Sequence, residues 1–221
     1  AREQAWKSIS SSVLKLFPEN TMRIVDDLIE PELACECRQW LLSQTLVFGW
    51  KAHAEAPGVF WHRNFVLPGT HKHHYDPGAW RPELTFDAFV ARGGPMAMAA
   101  QQVKKRFFPD SPITRLWVNV QAFGDEASLH RDFPAEFLQT ARSVIWYPVA
   151  EWDPGWGGDL VVLDAQGEIE SAVLVKPNRM VELNGCMAHA ARPMSRYCNA
   201  LRIAVAFGSE VGAGSDSGGA T

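Results

Sequence analysis

The chain has 221 residues, 47% hydrophobic and 21% charged, which excludes a disordered, collagen-like or coiled-coil chain. Its 21 Lys and Arg against 25 Asp and Glu leave a formal charge of −4, so no overall field draws it toward a phosphate backbone. No stretch approaches the roughly 20 apolar residues of a bilayer-crossing helix. The 4 cysteines (Cys35, Cys37, Cys186, Cys198) form neither C-x-x-C nor a dense disulfide pattern, so free thiols in a reducing cytoplasm are expected.

The opening AREQAWKSISSSVLKLF lacks the apolar run and cleavage site of a secretory signal. Trp6, Ile9, Val13 and Phe17 read as one face of an amphipathic helix, in preference to an organelle transit segment. MRIVDDLI reads as a strand, and Glu30-Pro31-Glu32 opens a helix through ACECRQWLLSQ with acidic residues at its positive end. A Gly/Pro/His-containing region runs from Val47 to about Pro82, with WHRNFVL as its best strand. PELTFDAFVARGG and MAMAAQQVKKRFF read as helical segments broken by Gly93, Gly94 and Pro95. After Pro109 the texture becomes short β runs: ITRLWVNVQAF, SVIWYPVAEW, DLVVLDA, SAVLVK, RMVELN and ALRIAVAFG. Turn signals separate them at Asp153-Pro154-Gly155, Gly157-Gly158, Gln166-Gly167 and Lys176-Pro177-Asn178. We therefore expect one domain over 1–208, with helical support over about 1–110 and a β core over about 111–208. Residues 209–221 read as a flexible tail.

The chemistry gathers around LHRDF, just beyond WVNVQAF. His130 and Asp132 are two apart, so on extended backbone they share a side and can meet one cation, while Arg131 points away. H-x-D pairs arise often by chance; His189, far downstream in a polar stretch just after a strand, supplies a second imidazole. Two imidazoles and one carboxylate make a triangular face that suits non-haem Fe(II) and leaves adjacent positions open. Arg202 opens the apolar run IAVAF, where a cation without a partner is costly and a bound carboxylate is its natural counter-ion.

LHRDF, WYPVAEWDPGWGGDLVVLD and the segment from His189 to Arg202 resemble the Fe(II)/2-oxoglutarate-dependent dioxygenases, especially the prolyl 4-hydroxylase-like branch. IVDDLIEPELACECRQWLLSQ is similar to that branch's opening strand and helix. The resemblance implies a mainly β fold with flanking helices, the double-stranded β-helix of the jelly-roll or cupin type. It implies Fe(II) on His130, Asp132 and His189, with O2 as oxidant. Arg202 would grip the distal carboxylate of 2-oxoglutarate, whose keto-acid end chelates the metal; Arg192 and Arg196 are rival anchors. That branch often has Lys at the anchor position. NVQAFGDEASLHRD is also similar to the AlkB-type segment before H-x-D, which makes Asn119 a co-substrate contact, with Gln121 standing where that branch has Tyr. A carboxylate at Asp132, where related halogenases have a small residue, implies hydroxylation, ring closure or desaturation.

Three functions compete. We favour hydroxylation or oxidative cyclisation of a small molecule, with a sugar-containing or other specialised metabolite as the substrate class and a peptide as its neighbour. An AlkB-type demethylase needs a basic groove, and Lys104, Lys105 and Arg106 are too few to make one, so neither nucleic acid nor membrane is an expected partner. The third is a cupin-like binding module in which the histidines are structural. His73 and His74, in HKHHY, are candidate substrate contacts beside the plainer reading of a solvated loop. Trp146 is another, beside the plainer reading of a core aromatic.

Overall fold

The computed structural model describes residues 22–51, 56, 58–67, 82–125 and 127–210. The segment of Trp6, Ile9, Val13 and Phe17, the stretch containing His73 and His74, and residues 211–221 of the expected tail lie outside the described residues, whereas Ser209, expected as the tail's first residue, is a buried strand residue.

Seven strands form the larger sheet: β1 (Arg23–Asp26), β2 (Val47–Trp50), β3 (Phe60–Val66), β4 (Arg115–Gln121), β5 (Arg142–Tyr147), β8 (Arg179–Asn184) and β10 (Arg202–Ser209). Their order is β1-β8-β5-β10-β4-β3-β2, every neighbouring pair antiparallel. A smaller sheet has the order β7-β6-β9, from β6 (Leu160–Leu163), β7 (Ile169–Val173) and β9 (His189–Ala191). The first half of the chain thus supplies strands as well as helices, β1 closing one edge of the larger sheet and β2 and β3 the other.

Period-two alternation decides what each face of the larger sheet carries. On β4, Leu116, Val118 and Val120 join the main core, while Trp117, Asn119 and Gln121 line a cavity. On β10, Ile203, Val205 and Phe207 join that core, while Arg202, Ala204 and Ala206 line the cavity. Leu160 of β6 and His189 and Ala191 of β9 close it from the other side, so the cavity lies between the sheets.

Among the described residues, three α-helices complete the core: α1 (Pro31–Leu42), α2 (Phe86–Ala91) and α3 (Pro95–Phe107). Pro31 stands in the first turn of α1 with Glu32 at the positive end. Thr85 caps α2, its hydroxyl accepting from the Ala88 amide at 3.2 Å. Lys104, Lys105 and Arg106 fill the last turn of α3, where cations meet the negative end of the dipole. Leu33, Cys37 and Leu41 of α1 and Val103 and Phe107 of α3 share the core with the strands.

Two strands escape the sequence pattern. In β2, Gly49 takes φ 99° and the pairing with β3 shifts register between Phe48 and Trp50, which breaks the alternation. β9 is three residues long and carries no alternation to read. His189, expected in a polar stretch beyond a strand, is the first residue of that strand, because Ala190 and Ala191 continue its pairing with β6.

Candidate active site

Backbone pairing sets the site. His130 forms a bridge with His189: its amide donates to the His189 carbonyl at 3.0 Å, and the His189 amide returns the bond at 2.9 Å. Imidazoles far apart in sequence are thereby opposed, with ring centroids 4.5 Å apart. Each imidazole is oriented in the same way. His130 Nδ1 donates to the Ser128 carbonyl and His189 Nδ1 to the Met187 carbonyl, both at 2.9 Å. Because a carbonyl only accepts, these bonds place the proton on Nδ1 and leave the Nε2 lone pair for a metal.

Both Nε2 atoms face Asp132: His130 Nε2 lies 3.6 Å from Oδ1 and His189 Nε2 3.8 Å from Oδ2. The three side chains offer ligand atoms all within 4.8 Å of one another, a set that could hold one metal ion. Two imidazoles with free Nε2 lone pairs and one carboxylate fit Fe(II).

Asp132 is held from several directions. Ser143 Oγ donates to Oδ2 at 2.6 Å and Arg115 Nη1 to the Asp132 carbonyl at 3.1 Å. The Phe133 amide donates to the Gly185 carbonyl at 3.0 Å, and the Arg131 guanidinium bonds the Cys186 carbonyl. The Phe133 ring fills space beside Gly208, where a Cβ would stand 2.8 Å from it. Burial presses the Asp132 carboxyl toward its neutral form. The His189 and His130 imidazoles and the Ser143 hydroxyl outweigh it and hold the group well below the usual carboxylate range. Burial lowers His189, with the Asp132 charge only partly restoring it. At His130 burial is outweighed by the bond and charge of Asp132, which raise it.

Arg202 enters the same cavity from the start of β10, 3% exposed. Its Nε donates to the Gly158 carbonyl at 2.8 Å, Nη1 to Gln121 Oε1 at 2.9 Å and Nη2 to the Tyr147 hydroxyl oxygen at 3.3 Å. All three partners are neutral, and among the described residues no carboxylate pairs with it. A buried guanidinium oriented this way has donors to spare for an anion. Arg192 and Arg196, the rival anchors, are exposed on the connection between β9 and β10. Burial pushes the Tyr147 phenol up, Arg202 opposing it, so it stays protonated. Gly158 explains the close approach: at φ 76° its missing Cβ would sit 3.2 Å from Arg202 Cδ.

Asn119 lines the cavity beside Gln121. Trp146 does not. Ile145 lines the cavity and Ser143 and Tyr147 bond to site residues, so the even positions of β5 face away. Trp146 is fully buried in the main core and donates Nε1 to Asn178 Oδ1 at 3.0 Å, so it is the core aromatic and not the candidate substrate contact. Nothing in the sequence singles out Ser143 or His62. Their shared parity with neighbours on β5 and β3 was the available signal, but strand pairing gives it meaning.

No protein-family model and no curated protein matches the chain. Solved structures do. A prolyl-4-hydroxylase from Pseudomonas putida superposes with a TM-score of 0.53 at 18% identity, over 87% of this chain and 93% of its own. A 2OG-Fe(II) oxygenase family oxidoreductase from Burkholderia pseudomallei gives a TM-score of 0.59 at 12% identity, over 85% and 84%. HygX from Streptomyces hygroscopicus, solved with nickel and 2-oxoglutarate bound, gives 0.54 at 12% identity, over 86% and 82%. The fold is that of the 2-oxoglutarate/Fe(II) oxygenases. The double-stranded β-helix expected from the resemblance of LHRDF and its companion segments is therefore the observed architecture, and residues of both sheets line one open cavity.

Proposed function

We propose that the chain is a non-haem Fe(II)/2-oxoglutarate-dependent dioxygenase that oxidises a small molecule. One observation carries this reading: His130, Asp132, His189 and a buried Arg202, which has no carboxylate partner among the described residues, converge on one cavity. His130, Asp132 and His189 would hold the metal, and Arg202 the distal carboxylate of 2-oxoglutarate. When bound, Fe(II) and 2-oxoglutarate supply the chemistry of O2 reduction, in which the co-substrate leaves as succinate and CO2 and one oxygen atom is available to a substrate C–H bond. The chain's own groups bind, orient and exclude. Gln121 and Tyr147 aim the guanidinium, Ser143 steadies the ligand carboxylate, and Ile145, Leu160 and Ala204 keep the cavity wall apolar.

A sugar-containing or other specialised metabolite is the substrate class we favour, since Trp117 offers the cavity an aromatic face. Hydroxylation and oxidative cyclisation both suit a site whose carboxylate ligand is in place. Lys104, Lys105 and Arg106 stand at the end of α3 and do not line the cavity, which weighs against the nucleic-acid demethylase.

The test is succinate formation by protein reconstituted with Fe(II) under anaerobic conditions, then given 2-oxoglutarate and air. Wild-type protein should form succinate slowly without substrate and faster with metabolites that fit; Asp132→Ala should form none. Succinate release by Asp132→Ala at the wild-type rate would defeat the ligand assignment.

A further inference from the structure

Asn119 reaches the cavity with one end of its amide already engaged. Its Oδ1 accepts a 2.6 Å hydrogen bond from Nδ1 of His62, the residue directly opposite on β3. An amide oxygen only accepts, so this bond requires a proton on Nδ1. His62 is 3% exposed, and its ring lies flat on Trp50 of β2, centroids 3.8 Å apart and planes 7° from parallel. The stack fixes the plane of the imidazole, and the imidazole fixes which end of the amide turns inward. That end is the NH2, which has no partner among the described residues.

The choice of end matters electrostatically. The cavity already presents the buried Arg202 guanidinium and is built for an anion. An inward amide oxygen would repel a carboxylate, whereas an inward NH2 donates to it. Were the His62 proton on Nε2 instead, Nδ1 would accept, the amide would turn over, and its oxygen would face the cavity.

We propose that His62 is a positioning residue for the co-substrate: through Nδ1–H it turns the Asn119 amide so that its NH2 donates to an oxygen of 2-oxoglutarate, with Trp50 holding the imidazole plane. This rests on the reading of the site given above.

The experiment measures 2-oxoglutarate binding to Ni(II)-loaded protein by titration calorimetry, so no turnover is needed. His62→Leu should weaken binding about tenfold while Ni(II) affinity holds. His62→Asn, whose NH2 can take the place of Nδ1–H, should restore it to within about threefold. Asn119→Ala should match His62→Leu, and the double variant should be no weaker than Asn119→Ala, because His62 acts only through Asn119. Independently, nitrogen-15 NMR of metal-free protein should show the His62 proton on Nδ1; this measurement needs no variant and decides the matter if His62→Leu fails to fold. Wild-type affinity in His62→Leu, multiplicative losses in the double variant, or a bare Nδ1 would each overturn the role of His62 alone. A Ni(II)-loaded wild-type protein that binds no 2-oxoglutarate would overturn the reading of the site, and this proposal with it.

Discussion

Ser143→Ala separates holding the fold from holding the metal. Ser143 is fully buried on β5, and its 2.6 Å bond to Asp132 Oδ2 is charge-assisted. Such a bond contributes about 1.5–3 kcal/mol. It exists whether or not a cation is bound, so its loss should appear in urea unfolding of metal-free protein as a destabilisation of about 2 kcal/mol. Metal affinity should fall for a different reason. Without Ser143 the carboxylate loses the donor that fixes its rotation toward the two Nε2 atoms, and losing such an outer partner typically costs about 10- to 100-fold. Ser143 is also among the groups that outweigh burial in lowering the Asp132 carboxyl. A depressed carboxylate keeps its contribution above its ordinary value and loses it as pH falls, so the variant should release metal at higher pH than wild type. Ni(II) titration calorimetry beside urea unfolding gives both numbers, with Asp132→Ala as the lower bound. Lower stability with unchanged Ni(II) affinity would refute the orienting role, and no change in either would show that the bond contributes nothing.

Other consequences are as direct. Arg202→Ala should weaken 2-oxoglutarate binding about 100-fold by calorimetry while Ni(II) binding holds, since the guanidinium lines the cavity and is not among the groups that could hold a metal. Gly158→Ala places a methyl 3.2 Å from Arg202 Cδ and 3.1 Å from Trp152 at φ 76°, so it should cost about 1–3 kcal/mol of stability in urea unfolding and weaken 2-oxoglutarate binding. A thiol reagent at pH 8 should label exposed Cys35 in the native protein and spare Cys37 and Cys186, whose thiols burial pushes up to about 12 and about 11, until denaturant is added. Ni(II) at about a thousand times its Kd should raise stability by about 4 kcal/mol, seen as a Tm increase of about 8–16 °C that Asp132→Ala lacks.

The sequence made legible what repeats every two residues. LWVNVQ sends Leu116, Val118 and Val120 to the core and Trp117, Asn119 and Gln121 to the cavity, and Arg202 enters a buried strand as its position implied. His130 and Asp132 share a side because their spacing requires it. What stayed hidden depends on register between strands. Nothing near His62 announces Asn119; only the β3–β4 pairing puts them opposite. Ser143 is an unremarked small residue until β5 is set beside Asp132. Trp146 could be drawn to either face by its aromatic bulk, and the parity of Ser143, Ile145 and Tyr147 decides that it faces the core. The bulge at Gly49 hid β2, and with it the stacking partner of His62.

The site also shows why these polar groups tolerate burial. A lone carboxylate as deeply placed as Asp132 would take up a proton, and a lone guanidinium like Arg202 would be costly. Asp132 stays charged because two imidazoles from opposed backbone segments and one hydroxyl surround it. Arg202 is accommodated by three neutral oxygens that satisfy part of its donor set and leave the remainder pointing at a cavity. Both arrangements are incomplete in complementary ways. The first gathers lone pairs around a gap suited to a cation, and the second gathers donors around a gap suited to an anion. A chelating keto acid with a second carboxylate would answer both at once, in the cavity that β10 of the larger sheet and β9 of the smaller one line together.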